Sequence, residues 1–84
     1  MPWSPLKHVK DIFNEFSRDA ESVSLNELWK AIIKHTGLVR DNSIRNLVKV
    51  FERLGFIEID YNSKAKLIKI NWEEVDAYII AKNQ

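Results

Sequence analysis

The sequence predicts a small α+β domain of three helices, a β-hairpin and a fourth, closing helix. Three observations carry this reading. Ile44, Leu47, Val48, Phe51 and Leu54 fall at intervals of 0, +3, +4, +7 and +10, the spacing of one helical face. Gly55 follows at once, where a left-handed residue ends many helices. From Ile57 the period drops to two, with Ile57-Glu58-Ile59-Asp60-Tyr61 alternating as a half-buried strand does.

The other elements follow in chain order. Met1-Pro2-Trp3 is a short lead. Ser4-Pro5 reads as an N-cap followed by proline at the first helical position, where the missing N–H costs nothing. The first helix is expected to run to about Phe16, with Leu6, Val9, Phe13 and Phe16 on its buried face and Ile12 at the margin. Ser17 to Ser22 is a polar connection without a strand pattern. A second helix opens at Ser24, whose hydroxyl and the Glu27 carboxylate form a capping box. Val23 and Leu28 are placed as its hydrophobic staple. Leu25, Leu28, Trp29 and Ile32 give its buried face, with Ile33 beside them, and Gly37 stops it. Thr36 to Arg40 is the short glycine-containing turn of a helix-turn-helix. Asp41 is the expected N-cap of the third helix, which extends to Leu54. Asn62-Ser63 is read as the hairpin turn, and 64–70 as its second strand, with Lys66, Ile68 and Ile70 on one side and Leu67 and Lys69 on the other. Asn71 and Glu74 suggest a capping box for a last helix over about 72–82, presenting Trp72, Val75, Tyr78, Ile79 and Ile80.

Eighty-four residues make one domain. A chain of this size buries only about 60–65% of the surface its unfolded form exposes, so 45% apolar residues support a modest core. With no cysteine there is no disulfide framework and no thiolate metal site. No run approaches the ~20 apolar residues of a membrane span, and nothing resembles a signal peptide. A cytoplasmic, intracellular domain without a membrane partner is therefore expected. The net charge of +1 excludes polybasic nucleic-acid glue, yet the charge is uneven. Residues 40–69 hold seven basic groups against four acidic, whereas residues 70–84 hold one against three. The basic footprint coincides with the third helix and the hairpin, which favours phosphate binding there.

The polar side of the third helix carries Asn42, Arg45, Asn46, Lys49 and Arg53, at 0, +3, +4, +7 and +11. Such a stripe can be the solvated outside of any amphipathic helix. It also has the chemistry of base readout, since Arg bridges guanine acceptors and Asn pairs with adenine. The basic, hydrogen-bond-rich hairpin tip, with Asn62, Ser63, Lys64 and Lys66, weighs towards the second meaning.

The segments V-S-L-N-E-L-W-K-A-I at 23–32, S-I-R-N-L-V-K-V-F-E-R-L-G-F-I-E at 43–58 and the turn-and-lysine stretch at 62–66 together resemble a winged helix-turn-helix domain. The likeness spans about Pro5 to Ile70 and is nearest in feel to small archaeal or archaeal-virus transcription regulators. It implies a three-helix core with a β-hairpin wing, to which this chain adds a C-terminal helix. It implies that 41–54 lies in the major groove, with Asn42, Ser43, Arg45 and Asn46 at base edges and Lys49 and Arg53 nearer phosphate. The wing matches 61–66, so Lys64 and Lys66 would hold backbone or minor groove, and Arg40 in the turn would hold a phosphate.

Catalysis is not expected. His8 and His35 are the only histidines, they lie on different helices, and no HExxH-type spacing exists. Glycines at 37 and 55 alone cannot build a phosphate loop, and no cofactor is expected. Two functions stay open: sequence-specific binding of double-stranded DNA in transcription regulation, and a protein-interaction module within a replication, transcription or membrane-remodelling assembly. A homodimer is expected because Ile12, Trp3, Tyr78 and Ile80 look surplus to one small core, and apolar residues left at both chain ends suit an isologous interface.

Overall fold

The computed structural model of the protein describes residues 8–20 and 22–82. It is an α+β fold of four helices and one three-stranded antiparallel sheet: α1 Val9–Phe13, β1 Val23–Ser24, α2 Leu25–Thr36, α3 Asp41–Arg53, β2 Ile57–Ile59, β3 Leu67–Ile70 and α4 Trp72–Lys82. The expected Ser4-Pro5 cap, Leu6 and Trp3 lie outside the described residues. No helix among the described residues is long and apolar enough to cross a membrane.

α1 ends three residues before the expected Phe16. After Phe13 the backbone tightens into i→i+3 bonds, Glu15 N to Ile12 O at 3.2 Å and Phe16 N to Phe13 O at 3.2 Å. That turn delivers the Glu15 carboxylate to α2, where it meets Lys34 Nζ at 2.9 Å and His35 Nε2 at 2.7 Å. These two hydrogen bonds, Lys34 first, hold the Glu15 pKa below its ordinary value.

The Ser24 capping box is present in both directions, Glu27 N to Ser24 Oγ at 3.1 Å and Ser24 N to Glu27 Oε2 at 3.2 Å. An N-cap needs extended backbone, and Ser24 at φ −80°, ψ 155° supplies it. The same conformation lets Val23 and Ser24 act as an edge strand, paired with Ile68 and Leu67 of β3. That strand, just after the 17–22 connection, has no sequence signature of its own, because a two-residue strand has no period to read. On α2 the buried positions are Leu28, Ala31 and Ile32, while Ile33 stands 39% exposed. Gly37, at φ 73°, ends the helix as expected.

The N-cap of α3 is Arg40, not Asp41. Arg40 is extended at φ −89°, ψ 129° and accepts the Ile44 N–H, with no side-chain cap bond. Asp41 therefore sits inside the first turn, where its charge still suits the positive helix end. At the other end, Gly55 N donates to Glu52 O at 3.1 Å and Phe56 N to Phe51 O at 2.9 Å. This is a Schellman motif, with Gly55 left-handed at φ 83° and the Phe51 and Phe56 rings 6.0 Å apart. Leu54 is the C-cap and is 42% exposed, so the apolar face of α3 ends one turn early, at Phe51.

The core joins Val9, Ile12 and Phe13 of α1 to Leu28 and Ile32 of α2, Ile44, Leu47, Val48 and Phe51 of α3, Ile57 and Ile68 of the sheet, and Val75 of α4. Phe13 is its aromatic centre, with the Phe51 ring at 5.2 Å, Phe56 at 6.1 Å and Trp72 at 6.3 Å. Ile12 is fully buried rather than marginal. Tyr78 packs its ring 5.3 Å from Phe56, so α4 closes on its own chain. Arg18 strengthens that closure. Its guanidinium lies 4.6 Å from the Trp72 ring centroid and forks onto Asp76 through two 2.7 Å bonds. The hydrogen bond from Arg18 holds the Asp76 pKa below the usual carboxylate range. The Asn71 side chain makes no cap bond to a described residue; its backbone N–H instead donates to Phe56 O at 2.8 Å, continuing the hairpin ladder. Of the residues expected to be surplus, Ile80 alone among the described ones is largely exposed, at 60%.

Candidate nucleic-acid interface

The apolar stripe of α3 is drawn into the core, and this fixes where its opposite side points. Asn42, Arg45, Asn46, Lys49 and Arg53 are all exposed, as is Arg40 in the preceding turn. Ser43 is half-buried, at the border between the two faces. Among the described residues no carboxylate lies within ion-pairing distance of Arg40, Arg45, Lys49 or Arg53.

The hairpin is shorter in strand and longer in loop than its sequence suggests. Pairing runs only from Ile57↔Ile70 to Ile59↔Ile68, closed by Asp60 N to Leu67 O at 2.8 Å. Side chains then compete with the ladder for the backbone. The Asp60 carboxylate accepts the Asn62 N–H at 3.0 Å, and the Ser63 hydroxyl donates to Asp60 O at 3.0 Å while accepting the Leu67 N–H at 2.9 Å. The result is a self-braced loop over 61–66, the same six residues expected for the wing. Ser63 is committed to that bracing, whereas Asn62, Lys64 and Lys66 are exposed. Lys66 is left-handed at φ 47°, the only non-glycine residue with positive φ among those described.

Tyr61 ties the loop to α3. Its hydroxyl bonds to the Glu52 carboxylate, 3.1 Å from either oxygen. Desolvation first, and this carboxylate second, raise its pKa above the ordinary phenol value.

Helix and loop come together around a hollow of about 290 Å³, bordered by Leu25, Trp29, Arg45, Lys49, Tyr61 and Lys66. A second hollow of about 270 Å³ adjoins it on the loop side, shares Leu25, Trp29 and Lys66, and adds Lys64. Arg45, Lys49, Lys64 and Lys66, drawn from two stretches of sequence, thus face one surface. Asn42, Asn46 and Arg53 lie on the same side of α3 without bordering either hollow. Trp29 and Tyr61 were not among the residues the sequence singled out for binding. Trp29 reads as core because it repeats with Leu25 and Ile32, yet it is half-buried. An indole at the edge of an amphipathic face, with one end suited to water, was the available signal.

Elsewhere the histidines hold no metal-like arrangement: no group of three or more His, Asp or Glu side chains suited to a metal ion occurs among the described residues. No protein-family model matches this chain, and neither a curated protein nor a solved structure does so.

Proposed function

We propose that this domain is a winged helix-turn-helix that binds double-stranded DNA in a sequence-specific way, as a transcription regulator. The observation that carries the reading is the shared surface: Arg45 and Lys49 of the α3 stripe and Lys66 of the 61–66 loop border one hollow, Lys64 borders the hollow adjoining it, and no acidic residue lines either. α3 has 13 residues, a rod of about 20 Å at 1.5 Å per residue, enough to lie along a major groove. In this mode Asn42, Ser43, Arg45 and Asn46 face base edges and Lys49 and Arg53 approach phosphates. Arg40 holds a phosphate from the turn, and Asn62, Lys64 and Lys66 follow the backbone or minor groove, while Ser63 braces the loop that carries them. Two copies on palindromic half-sites, ~34–36 Å apart, would add their modest separate affinities.

Fluorescence anisotropy with duplex DNA, repeated across salt, tests this. Log affinity should fall against log salt by about 0.9 per phosphate neutralised. Lys64→Ala should flatten that slope by about one such step and weaken all sequences alike, whereas Arg45→Ala should cost roughly 1–3 kcal/mol on the preferred site and blur its specificity. Absence of binding at ~50 mM salt would shift the assignment to protein interaction, for which Val39, 83% exposed between α2 and α3, is the first residue to test.

A further inference from the structure

The duplex reading assigns no task to Trp29, although that residue lines both hollows of the interface. The indole is half-buried, so its ring is anchored in the domain while part of it is open to the cleft. Around it stand Arg45 and Lys49 on the α3 side and Lys64 and Lys66 on the loop side. No carboxylate lines either hollow. Two other hollows on the surface differ in this respect, one bordered by Glu15 and Glu27 and the other by Glu58 and Asp60. Lys66 is moreover held in a left-handed conformation that non-glycine residues seldom adopt, by a loop whose Ser63 carbonyl and hydroxyl take up the Lys66 and Leu67 N–H groups. Strain of this kind collects where a side chain must be presented.

An aromatic floor inside a cationic, acid-free cleft matches a ligand with one planar π face and an adjoining negative charge. A nucleotide has both. Bases inside an intact duplex offer no free face, and extruding one costs about as much as stacking on a single indole returns. A nucleotide that is already unpaired escapes that cost. We propose that the Trp29 cleft is a site for one unpaired nucleotide next to a duplex, its base stacked on the indole and its phosphate held among Arg45, Lys49 and Lys66. The inference rests on the nucleic-acid reading and names a preferred DNA form: a duplex with a single-stranded extension.

Three ligands test it by anisotropy at one fixed salt concentration: a blunt duplex, the same duplex with a short overhang, and that duplex with an abasic overhang of equal phosphate count. The overhang should bind about 5- to 140-fold tighter than the abasic control, the range that base–aromatic stacking spans at a tenfold change per 1.4 kcal/mol. Trp29→Leu should bring that ratio to about one, and Trp29→Phe should keep part of it. If Trp29→Leu does not fold, the indole fluorescence of a Trp3→Phe/Trp72→Phe variant, in which Trp29 is the one tryptophan left, decides, because stacking on Trp29 must quench it with the overhang and not with the abasic control. Equal binding of overhang and abasic ligands, or a ratio unmoved by folded Trp29→Leu, overturns the inference and leaves duplex binding intact. Failure of all three ligands to bind overturns the nucleic-acid reading itself.

Discussion

Gly55 is the hinge on which α3 becomes β2, and its replacement gives a test whose magnitude follows from the backbone alone. At φ 83° the residue is left-handed, and a Cβ built there would meet only Glu74 Cγ, at 3.9 Å, an ordinary contact. Alanine therefore fits sterically, and the cost is the intrinsic penalty of an L-residue in this region, about 1–2 kcal/mol. For a domain of this length, 1 kcal/mol lowers the melting temperature by roughly 4–8 °C, so Gly55→Ala should lose about 4–16 °C. Gly55→Val should lose at least as much, because branching at Cβ adds to the penalty. Gly55→Asn should lose less, since asparagine tolerates the left-handed region. Gly37 is an internal control, with φ 73° and nothing within 4 Å of a built Cβ. If conformation sets the cost, Gly37→Ala and Gly55→Ala should shift the melt alike, as read by circular dichroism. Parent-like melting of Gly55→Ala and Gly55→Val would refute the helix exit described above. A loss at 55 with none at 37 would refute the conformational origin of the cost.

Other expectations concern the core, acid and assembly. Phe51→Ala removes a fully buried ring packed at a tilt against Phe13 and Phe56, and urea unfolding should show a loss of about 3–5 kcal/mol; a loss under ~1 kcal/mol would mean that the ring is not central. The folded-state pKa values of Glu15 and Asp76 are depressed, so the stability their ion pairs contribute is complete above the ordinary carboxylate values, ~3.9–4.3, and is lost as pH falls through the lower folded values. The urea midpoint of the parent should therefore fall more steeply below pH ~4 than that of a Glu15→Gln/Asp76→Asn double variant, and parallel curves would dismiss these pairs as the cause. Of the apolar residues expected to form a homodimer, Ile80 is the one left largely exposed among those described, so, if the dimer forms through it, light scattering at micromolar concentration should give twice the chain mass and Ile80→Glu should halve it; one chain mass for both proteins would end that idea.

The parts of the fold that were legible in the sequence are those fixed by neighbours along the chain. The Ser24–Glu27 box, the stops at Gly37 and Gly55 and the buried stripe of α3 from Ile44 to Phe51 each depend on residues a few positions apart, and each is found where its pattern lies, with Leu54 alone falling off the stripe. The illegible parts depend on distant partners or on competition for the backbone. Val23 pairs with Ile68, a contact that no local period announces. α1 ends early where Glu15 turns across to Lys34 and His35. The hairpin loses ladder pairs to the Asp60 and Ser63 side chains, which carry the same turn signal whether they close two residues or six. Apolar residues such as Ile12 and Tyr78 look surplus only while the partner element is unknown. At the candidate interface the cationic stripe and the loop lysines were legible as residue types. Their convergence on Trp29 was not, because it depends on how α2, α3 and the loop pack in three dimensions.

A net charge of +1 looks unfavourable for a DNA-binding domain, but the arrangement of charge matters more than its sum. Away from the α3–loop surface, two acids are matched with bases at the protein surface: Glu15 with Lys34 and His35, and Asp76 with Arg18. These pairs neutralise one another locally and add little to the field at a distance. Beside the α3–loop surface, the Glu52 carboxylate is engaged by the Tyr61 hydroxyl. Asp60 is likewise turned into its own loop, accepting the Asn62 N–H. Arg45, Lys49, Lys64 and Lys66 have no such partner among the described residues. A polyanion approaching this face meets four cations without an ion-pair partner among the described residues, whereas one approaching α4 meets the exposed carboxylates of Glu73 and Glu74, which no base among those residues neutralises there. The proposed binding mode therefore predicts a strong dependence on salt from a protein whose total charge is almost zero.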